Sequence, residues 1–238
     1  MTQLKNKIML VTGASRGIGA ALRIVCAEQG ATVVPHASRA SEATDESFIY
    51  EDLSQPEAGA RLFAAALAVH GRIDAVVNNA GVYLPSSLRG DDWTDGWATT
   101  MAVNVQAPAD ICRAAIAHFR DTGAGRIVNI ASRAGHRGDG VDHAAYAASK
   151  GAVLAMTKTW ARGLSGENIH IYAIAPGWVE TRMAPKDIEN RKKAVADIPL
   201  GRVAQPEEIA NFAAFLLSDA CPSAVGGTFD INGASYVR

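Results

Sequence analysis

A short apolar run that ends in a glycine-rich turn constrains this chain most. Ile8-Met9-Leu10-Val11 has no polar alternation, and Thr12-Gly13-Ala14-Ser15-Arg16-Gly17-Ile18-Gly19 follows at once. A strand that is apolar at every position must be covered on both faces, as in a parallel sheet lined by helices. The segment after the turn, about Ile18 to Gln29, reads as a helix, and Gly30 is suited to end it. Strand, glycine turn and helix together open a doubly wound fold, in which the next strand runs parallel to the first.

The alternation continues along the chain. Strands are expected at 31–34, 73–77, 126–130, 169–174 and 229–231. Helices are expected at about 56–70, 97–120, 144–164 and 206–218, with Pro108 bending the second of these. No repeat, composition break or long linker interrupts the pattern. The chain has 238 residues, 48% of them apolar, which suits one large α/β domain and a substantial core. The expectation is a single Rossmann-type domain over 1–238: α/β, about seven parallel strands, helices on both faces. The stretch 181–202, with Met183, Pro185, Lys186, Asp187 and Glu189, is polar and long for a connection and reads as a lid.

Composition narrows the function. Lys plus Arg number 23 against 24 acidic residues, without a basic tract, so nucleic acid is not an expected partner. The apolar runs fall far short of the roughly 20 residues needed to span a bilayer. The N-terminus lacks the apolar core of a signal peptide. Cys26, Cys112 and Cys221 form neither a ligand pattern nor a disulfide framework and read as reduced thiols of a cytoplasmic protein. The six histidines show no metal spacing, so no metal is expected. No G-x-S-x-G elbow points to a hydrolase.

The chemistry gathers at the expected carboxyl ends of strands, where a doubly wound sheet binds its ligands. In the first turn, Gly13, Ser15, Arg16, Gly17, Ile18 and Gly19 can bring backbone and a helix N-terminus against a pyrophosphate. After the second strand, His36-Ala37-Ser38-Arg39 has no acid for a ribose 2′-hydroxyl. Arg16, Ser38 and Arg39 instead suit a 2′-phosphate, so NADP(H) is the expected cofactor, with NAD(H) as the alternative. Asn78-Asn79-Ala80-Gly81 closes the next strand, Ser132 follows another, and Pro176-Gly177 with Thr181 ends a third. Tyr146 and Lys150 are four residues apart in a helix and share a face. A neighbouring ammonium favours a phenolate and lowers the tyrosine pKa, which makes a proton donor and acceptor.

Taken together, these motifs resemble the short-chain dehydrogenase/reductase family over nearly the whole chain. The resemblance implies a catalytic set of Asn104, Ser132, Tyr146 and Lys150. It implies cofactor contacts from the glycine turn, from Asp52 and Leu53 beside the adenine, and from Asn79, Ala80 and Gly81. Pro176, Gly177, Val179 and Thr181 then lie beside the nicotinamide, and Tyr146 and Lys150 also touch the cofactor. Within the family, Pro199-Leu200-Gly201-Arg202, Pro206-Glu207-Glu208-Ile209-Ala210 and the short C-terminus are most similar to bacterial 3-oxoacyl-acyl-carrier-protein reductases. Tyr172 stands where relatives commonly carry asparagine. The polar stretch from Arg133 to His143 lies where substrate is expected.

The resemblance implies reversible hydride transfer between the cofactor and a carbonyl carbon. Tyr146 passes the proton, Ser132 positions the oxygen, Lys150 holds the ribose, and Asn104 holds a relay water. It also implies a homotetramer paired through the helices at 97–120 and 144–164. Two alternatives are an NAD-dependent alcohol or sugar dehydrogenase and a non-catalytic nucleotide sensor on the same fold.

Overall fold

The computed structural model describes residues 3–42, 47–182 and 187–238. Its strands are β1 (Ile8–Val11), β2 (Thr32–Ala37), β3 (Ile49–Tyr50), β4 (Ala75–Asn78), β5 (Gly125–Ile130), β6 (Ile169–Pro176) and β7 (Thr228–Ile231). They form one seven-stranded sheet in the order β3-β2-β1-β4-β5-β6-β7. Every adjacent pair is parallel. The strand order reverses between β1 and β4, which opens a crevice at their carboxyl ends.

Side chains alternate between two apolar layers, as successive residues of a strand must. Met9, Val11, Val77, Val128 and Ile174 face helices α1 (Gly17–Glu28) and α8 (Pro206–Leu217). Leu10, Val76, Ile127 and Ile171 face α2 (Ala58–His70), α4 (Ala107–Thr122) and α6 (Ala144–Leu164). Burying each such side chain stabilises by roughly 1.5–3 kcal/mol. At the start of β5, Gly125 lies under the Phe119 ring, and a Cβ there would stand 2.0 Å from it. Tyr172 is fully buried in the first layer, so its place is in the core, away from the crevice.

Several boundaries differ from expectation. The helix expected over 97–120 begins earlier, as α3 (Trp93–Met101), and is broken by a π-helical turn, Ala102–Gln106, before α4. Pro108 falls in the first turn of α4 and has no N–H for the carbonyl of Asn104, four residues back. The expected bend is therefore a change of helix type placed just ahead of the proline. The stretch read as an irregular lid contains α7 (Ile188–Ala196), whose N-cap Asp187 accepts a hydrogen bond from the Asn190 backbone N–H at 2.8 Å. Met183, Pro185 and Lys186 lie outside the described residues. A short helix, α5 (Ala134–Arg137), occupies part of the polar stretch before Tyr146.

Candidate active site

The crevice begins where β1 and β4 end. The Thr12 hydroxyl oxygen accepts from the backbone N–H groups of Asn79 and Ala80, both at 2.9 Å. The Asn79 side-chain amide donates to the Thr12 carbonyl at 2.9 Å and to the Gly13 carbonyl at 3.1 Å. These bonds fix the glycine turn against the neighbouring strand end. Gly13 and Gly17 have φ of 62° and 54°, which favours glycine. A Cβ on Gly19 would lie 2.0 Å from the Gly13 carbonyl oxygen and 2.6 Å from the Asn79 amide nitrogen. Gly19 thus lets the first turn of α1 close onto the loop.

His36, at the end of β2, supports the same turn from the other side. Its Nδ1 accepts from the Gly13 N–H at 3.1 Å, so Nε2 carries the proton and donates to the Glu51 carbonyl at 2.9 Å. The ring is fully buried, and burial holds its pKa below the ordinary histidine value. Sequence reasoning noted only that His36 is not an acid and missed this bridge between three strand ends.

The outer end of the crevice carries the residues expected at the adenosine. Ser38, Arg39, Asp52 and Leu53 line it. Asp52 accepts from the Ser54 hydroxyl at 2.7 Å and the Ser54 N–H at 3.0 Å, and these bonds hold its carboxyl below the usual range. Arg16 pairs with Glu42 at 3.3 Å, and Glu42 lines the same cavity. An acid is therefore present near the second strand, three residues past Arg39, where the stretch read by sequence ends.

At the inner end, α6 brings Tyr146 and Lys150 to one face, with the ammonium nitrogen 5.7 Å from the ring centroid. Lys150 is buried, and its Nζ donates to the Ile130 carbonyl at the end of β5, at 2.8 Å. Burial pushes its pKa down to about 8. Tyr146 behaves opposite to the sequence expectation. Burial, with a contribution from the Asp139 carboxylate, pushes its phenol up to about 12, and a hydrogen bond with Ser132 only partly opposes this. The lysine that was expected to lower the phenol pKa is committed to a carbonyl and is itself depressed.

Asn104 lies in the π turn, fully enclosed. Its Oδ1 accepts from the Val82 N–H at 2.9 Å, and its Nδ2 donates to the Val82 carbonyl at 3.0 Å and the Ser149 hydroxyl at 3.1 Å. Ser149 in turn donates to the Tyr146 carbonyl at 2.7 Å. A Cβ on Gly81 would meet Asn104 Oδ1 at 3.3 Å and Lys150 Nζ at 3.6 Å, so the glycine keeps open the space between them. Tyr83, absent from the sequence-based set, stands edge-on to Tyr146 at 4.8 Å and stacks on His143 at 4.0 Å. Its place two residues beyond Gly81, at a strand's carboxyl end, was the available signal. His136 instead stacks on Tyr236 near the C-terminus.

One cavity of about 530 Å³ joins both ends. Gly13, Ser15, Arg16, Gly17, Ile18, Asn79, Ala80, Gly81, Ser132, Tyr146, Lys150, Pro176, Gly177, Val179 and Thr181 all line it. Gly19 and Asn104 lie behind the wall and shape it. A dinucleotide suits this surface. The turn has no side chain where backbone must approach a pyrophosphate, and the first N–H groups of α1 have no partners within the helix. Gly17 packs against Thr181, where a Cβ would lie 3.0 Å from the threonine methyl, so the nicotinamide-side segment closes over the glycine turn. Among the described residues no cluster of His, Cys, Asp and Glu could hold a metal ion, and no helix is long and apolar enough to cross a membrane.

The family model described as enoyl-(acyl carrier protein) reductase matches residues 13–233. A 3-oxoacyl-[acyl-carrier-protein] reductase of Thermotoga maritima is 34% identical over 249 residues, covering 99% of this chain and 100% of that protein. The corresponding reductase of Escherichia coli is 30% identical over 245 residues, covering 98% of each chain. An acetoacetyl-CoA reductase of Acinetobacter sp. is 32% identical over 248 residues, covering 98% of this chain and 99% of that protein. With a parallel sheet that reverses beside a glycine turn, and with likeness along nearly its full length, the chain belongs to the short-chain dehydrogenase/reductase family, oxidoreductases that act on a CH–OH group with a nicotinamide cofactor.

Proposed function

We propose that this chain reduces a ketone, of the 3-oxoacyl kind or another secondary carbonyl, to an alcohol with NADPH, and runs the reverse reaction when the alcohol is supplied. One observation carries the proposal. Tyr146, Ser132 and Lys150 converge at one end of a cavity whose other end is the glycine turn. The names of the relatives support a 3-oxoacyl carbonyl, and Arg16, Ser38 and Arg39 support a 2′-phosphate. When bound, the nicotinamide supplies the hydride.

The protein's own residues handle the oxygen and the proton. The Ser132 hydroxyl donates to the carbonyl oxygen and holds it beside Tyr146. As negative charge develops on that oxygen, the phenol gives up its proton to it and the product is a neutral alcohol. With burial raising its pKa, the Tyr146 phenol carries its proton at neutral pH and can donate it to the substrate oxygen. Lys150 lies on the same helix face beside the phenolate left behind, its Nζ 5.7 Å from the ring centroid. Asn104 and the π turn hold the relay that returns a proton to it, and Lys150 also takes the ribose. Asp52 and Leu53 sit against the adenine. Pro176, Gly177, Val179 and Thr181 border the nicotinamide. Residues 181–202 close over the substrate as part of the same domain, and the protein works as a cytoplasmic homotetramer, which sedimentation in solution would test.

Tyr146→Phe is expected to lower kcat/KM by about a hundredfold to ten-thousandfold while NADPH binding persists. NADPH consumption with a ketone panel measures it, and a variant with full activity would overturn the assignment. A second reading, with NAD(H) as the cofactor, draws on the Arg16–Glu42 pair, which partly neutralises the arginine meant for a phosphate. The ratio of NADPH to NADH dissociation constants decides between them.

A further inference from the structure

Beside Ser132 the cavity wall carries two guanidinium groups that no carboxylate of the described residues pairs with directly, although Asp139 and Asp197 act on Arg133 from a distance. Arg133 is the N-cap of α5, and Arg137 is its last residue. The Arg137 N–H donates to the Arg133 carbonyl at 3.1 Å, so the two side chains share one helical face. Both residues line the cavity. Arg133 is only 6% exposed. Its side chain's only hydrogen bond among the described residues goes to the Ser235 hydroxyl. No carboxylate of the described residues pairs with Arg133 or Arg137.

The donors of this pair that meet no protein group open onto the cavity. A buried guanidinium has five N–H donors to satisfy, and a like charge four residues away adds repulsion. The proximity of Arg137 indeed adds to burial in holding Arg133 below the ordinary arginine value. An anion between the two would satisfy the donors and relieve the repulsion together. The nearest acid on this wall is Asp139. It accepts from the Gly140 N–H at 2.8 Å and from the Tyr83 hydroxyl at 3.4 Å. Its carboxylate is thus bound to its own loop and to the opposite wall. Arg182 and Lys150 also line the cavity. Positive groups therefore outnumber Asp139 around the place where the carbonyl must lie.

We propose that Arg133 and Arg137 form an anion subsite, and that the substrate is a short oxo acid whose carboxylate, or a phosphate in its place, docks there while its ketone meets Ser132 and Tyr146. This deepens the proposed ketone reduction and rests on it. A long neutral acyl chain leaves both guanidinium groups unmet. An oxo acid satisfies them and is held in one orientation, because a planar guanidinium binds a carboxylate through two parallel hydrogen bonds.

The test compares 2-, 3- and 4-oxo acids with their methyl esters and with a phosphorylated ketone, each with NADPH and then NADH. At least one acid or the phosphorylated ketone is expected to exceed its neutral counterpart in kcat/KM by about tenfold or more, the scale of one charge-assisted hydrogen bond. The anion-to-neutral ratio is expected to collapse towards one in Arg137→Gln and in Arg133→Gln. Because Arg133 also holds Ser235, the exposed Arg137 provides the variant that keeps the fold intact. A separate readout needs no turnover: malonate is expected to quench Trp178, which lines the cavity, in the wild type and not in Arg137→Gln. Esters reduced as well as acids, or a ratio unchanged in both variants, would overturn the anion subsite and leave the reductase standing. No reduction of any ketone would overturn the reductase. The malonate titration would then decide the subsite alone, and an unchanged Trp178 signal in the wild type would remove it.

Discussion

Tyr146 and Lys150 show how a short motif can be legible in kind and misleading in charge. Their spacing placed them on one helix face, and the structure keeps them there. The direction of the tyrosine shift was not legible, because it depends on burial and on the Ile130 carbonyl that takes the ammonium, both tertiary facts. A consequence follows for Lys150. Its folded pKa is about 8, against about 10.4 for a free lysine. Between these values the unfolded chain holds a proton that the folded chain has released, so stability rises with pH across that window. Below it the folded state carries the full cost of the buried charge. Lys150→Met is therefore expected to be inactive yet more stable, by about 1–3 kcal/mol near pH 7, with the margin shrinking towards pH 10. Denaturant titrations at those two pH values check this, and a variant less stable than wild type at neutral pH would contradict it. Ser132 and the glycines were legible as chemistry, because each stands at an expected strand end, whereas Asn104, inside the helix expected over 97–120, was named only through the family resemblance. Tyr83 and Trp178 could have been found, since each adjoins a motif at a strand's carboxyl end, whereas nothing in the neighbours of Glu42 marks it as facing a cavity.

Among the elements, those with a strong apolar period were readable and those without were not. The strands β1, β4, β5 and β6, covered on both faces, announced themselves through their apolar runs. The strand β3 has two residues, too few to show a pattern. The helix α7 buries no side chain, so its sequence reads as a loop. Its one signal was Asp187 at the N-cap, three residues before Asn190. The π turn was invisible because it alters hydrogen bonding without altering composition. Where packing is dense, element-scale energetics are predictable. Phe119 on α4 is fully buried over Gly125 of β5. Phe119→Ala is expected to cost about 3–5 kcal/mol, which urea unfolding measures. Enlarging Gly125 in the Phe119→Ala background is expected to recover part of that loss, since the ring and a Cβ compete for one space.

At the scale of the molecule, the cofactor cavity is where separate parts of the chain meet: the ends of β1, β2, β4, β5 and β6 all contribute to it. A ligand held there links those parts, so its binding is read out as stability of the whole. A ligand at about a hundred times its dissociation constant stabilises by about 2.7 kcal/mol. Glu42 makes that linkage selective. Removing its charge frees Arg16 for a 2′-phosphate, so Glu42→Gln is expected to raise the thermal shift given by NADPH and to leave that of NADH little changed. Equal shifts with both dinucleotides would mean that the Arg16–Glu42 pair plays no part in the choice. The overall architecture was legible because the parallel order follows from chain alternation and handed crossovers. The Arg16–Glu42 pair was not, because it joins the first turn to the segment after β2 and neither stretch shows it alone.

The π turn also sets how this chain tolerates change in length. An α-helix advances each residue by about 100°, so one residue added or lost rotates everything beyond it by that angle. From Ala102 to Gln106 the chain holds such an addition inside an otherwise continuous helix. Deleting a residue there would leave the composition nearly the same and the helix nearly the same length. It would turn Asn104 away from Val82, or α4 away from the sheet, because both cannot keep their present facing on a uniform α-helix. Loops at the rim can lose a residue and close again, whereas here the loss becomes a rotation carried into the catalytic wall.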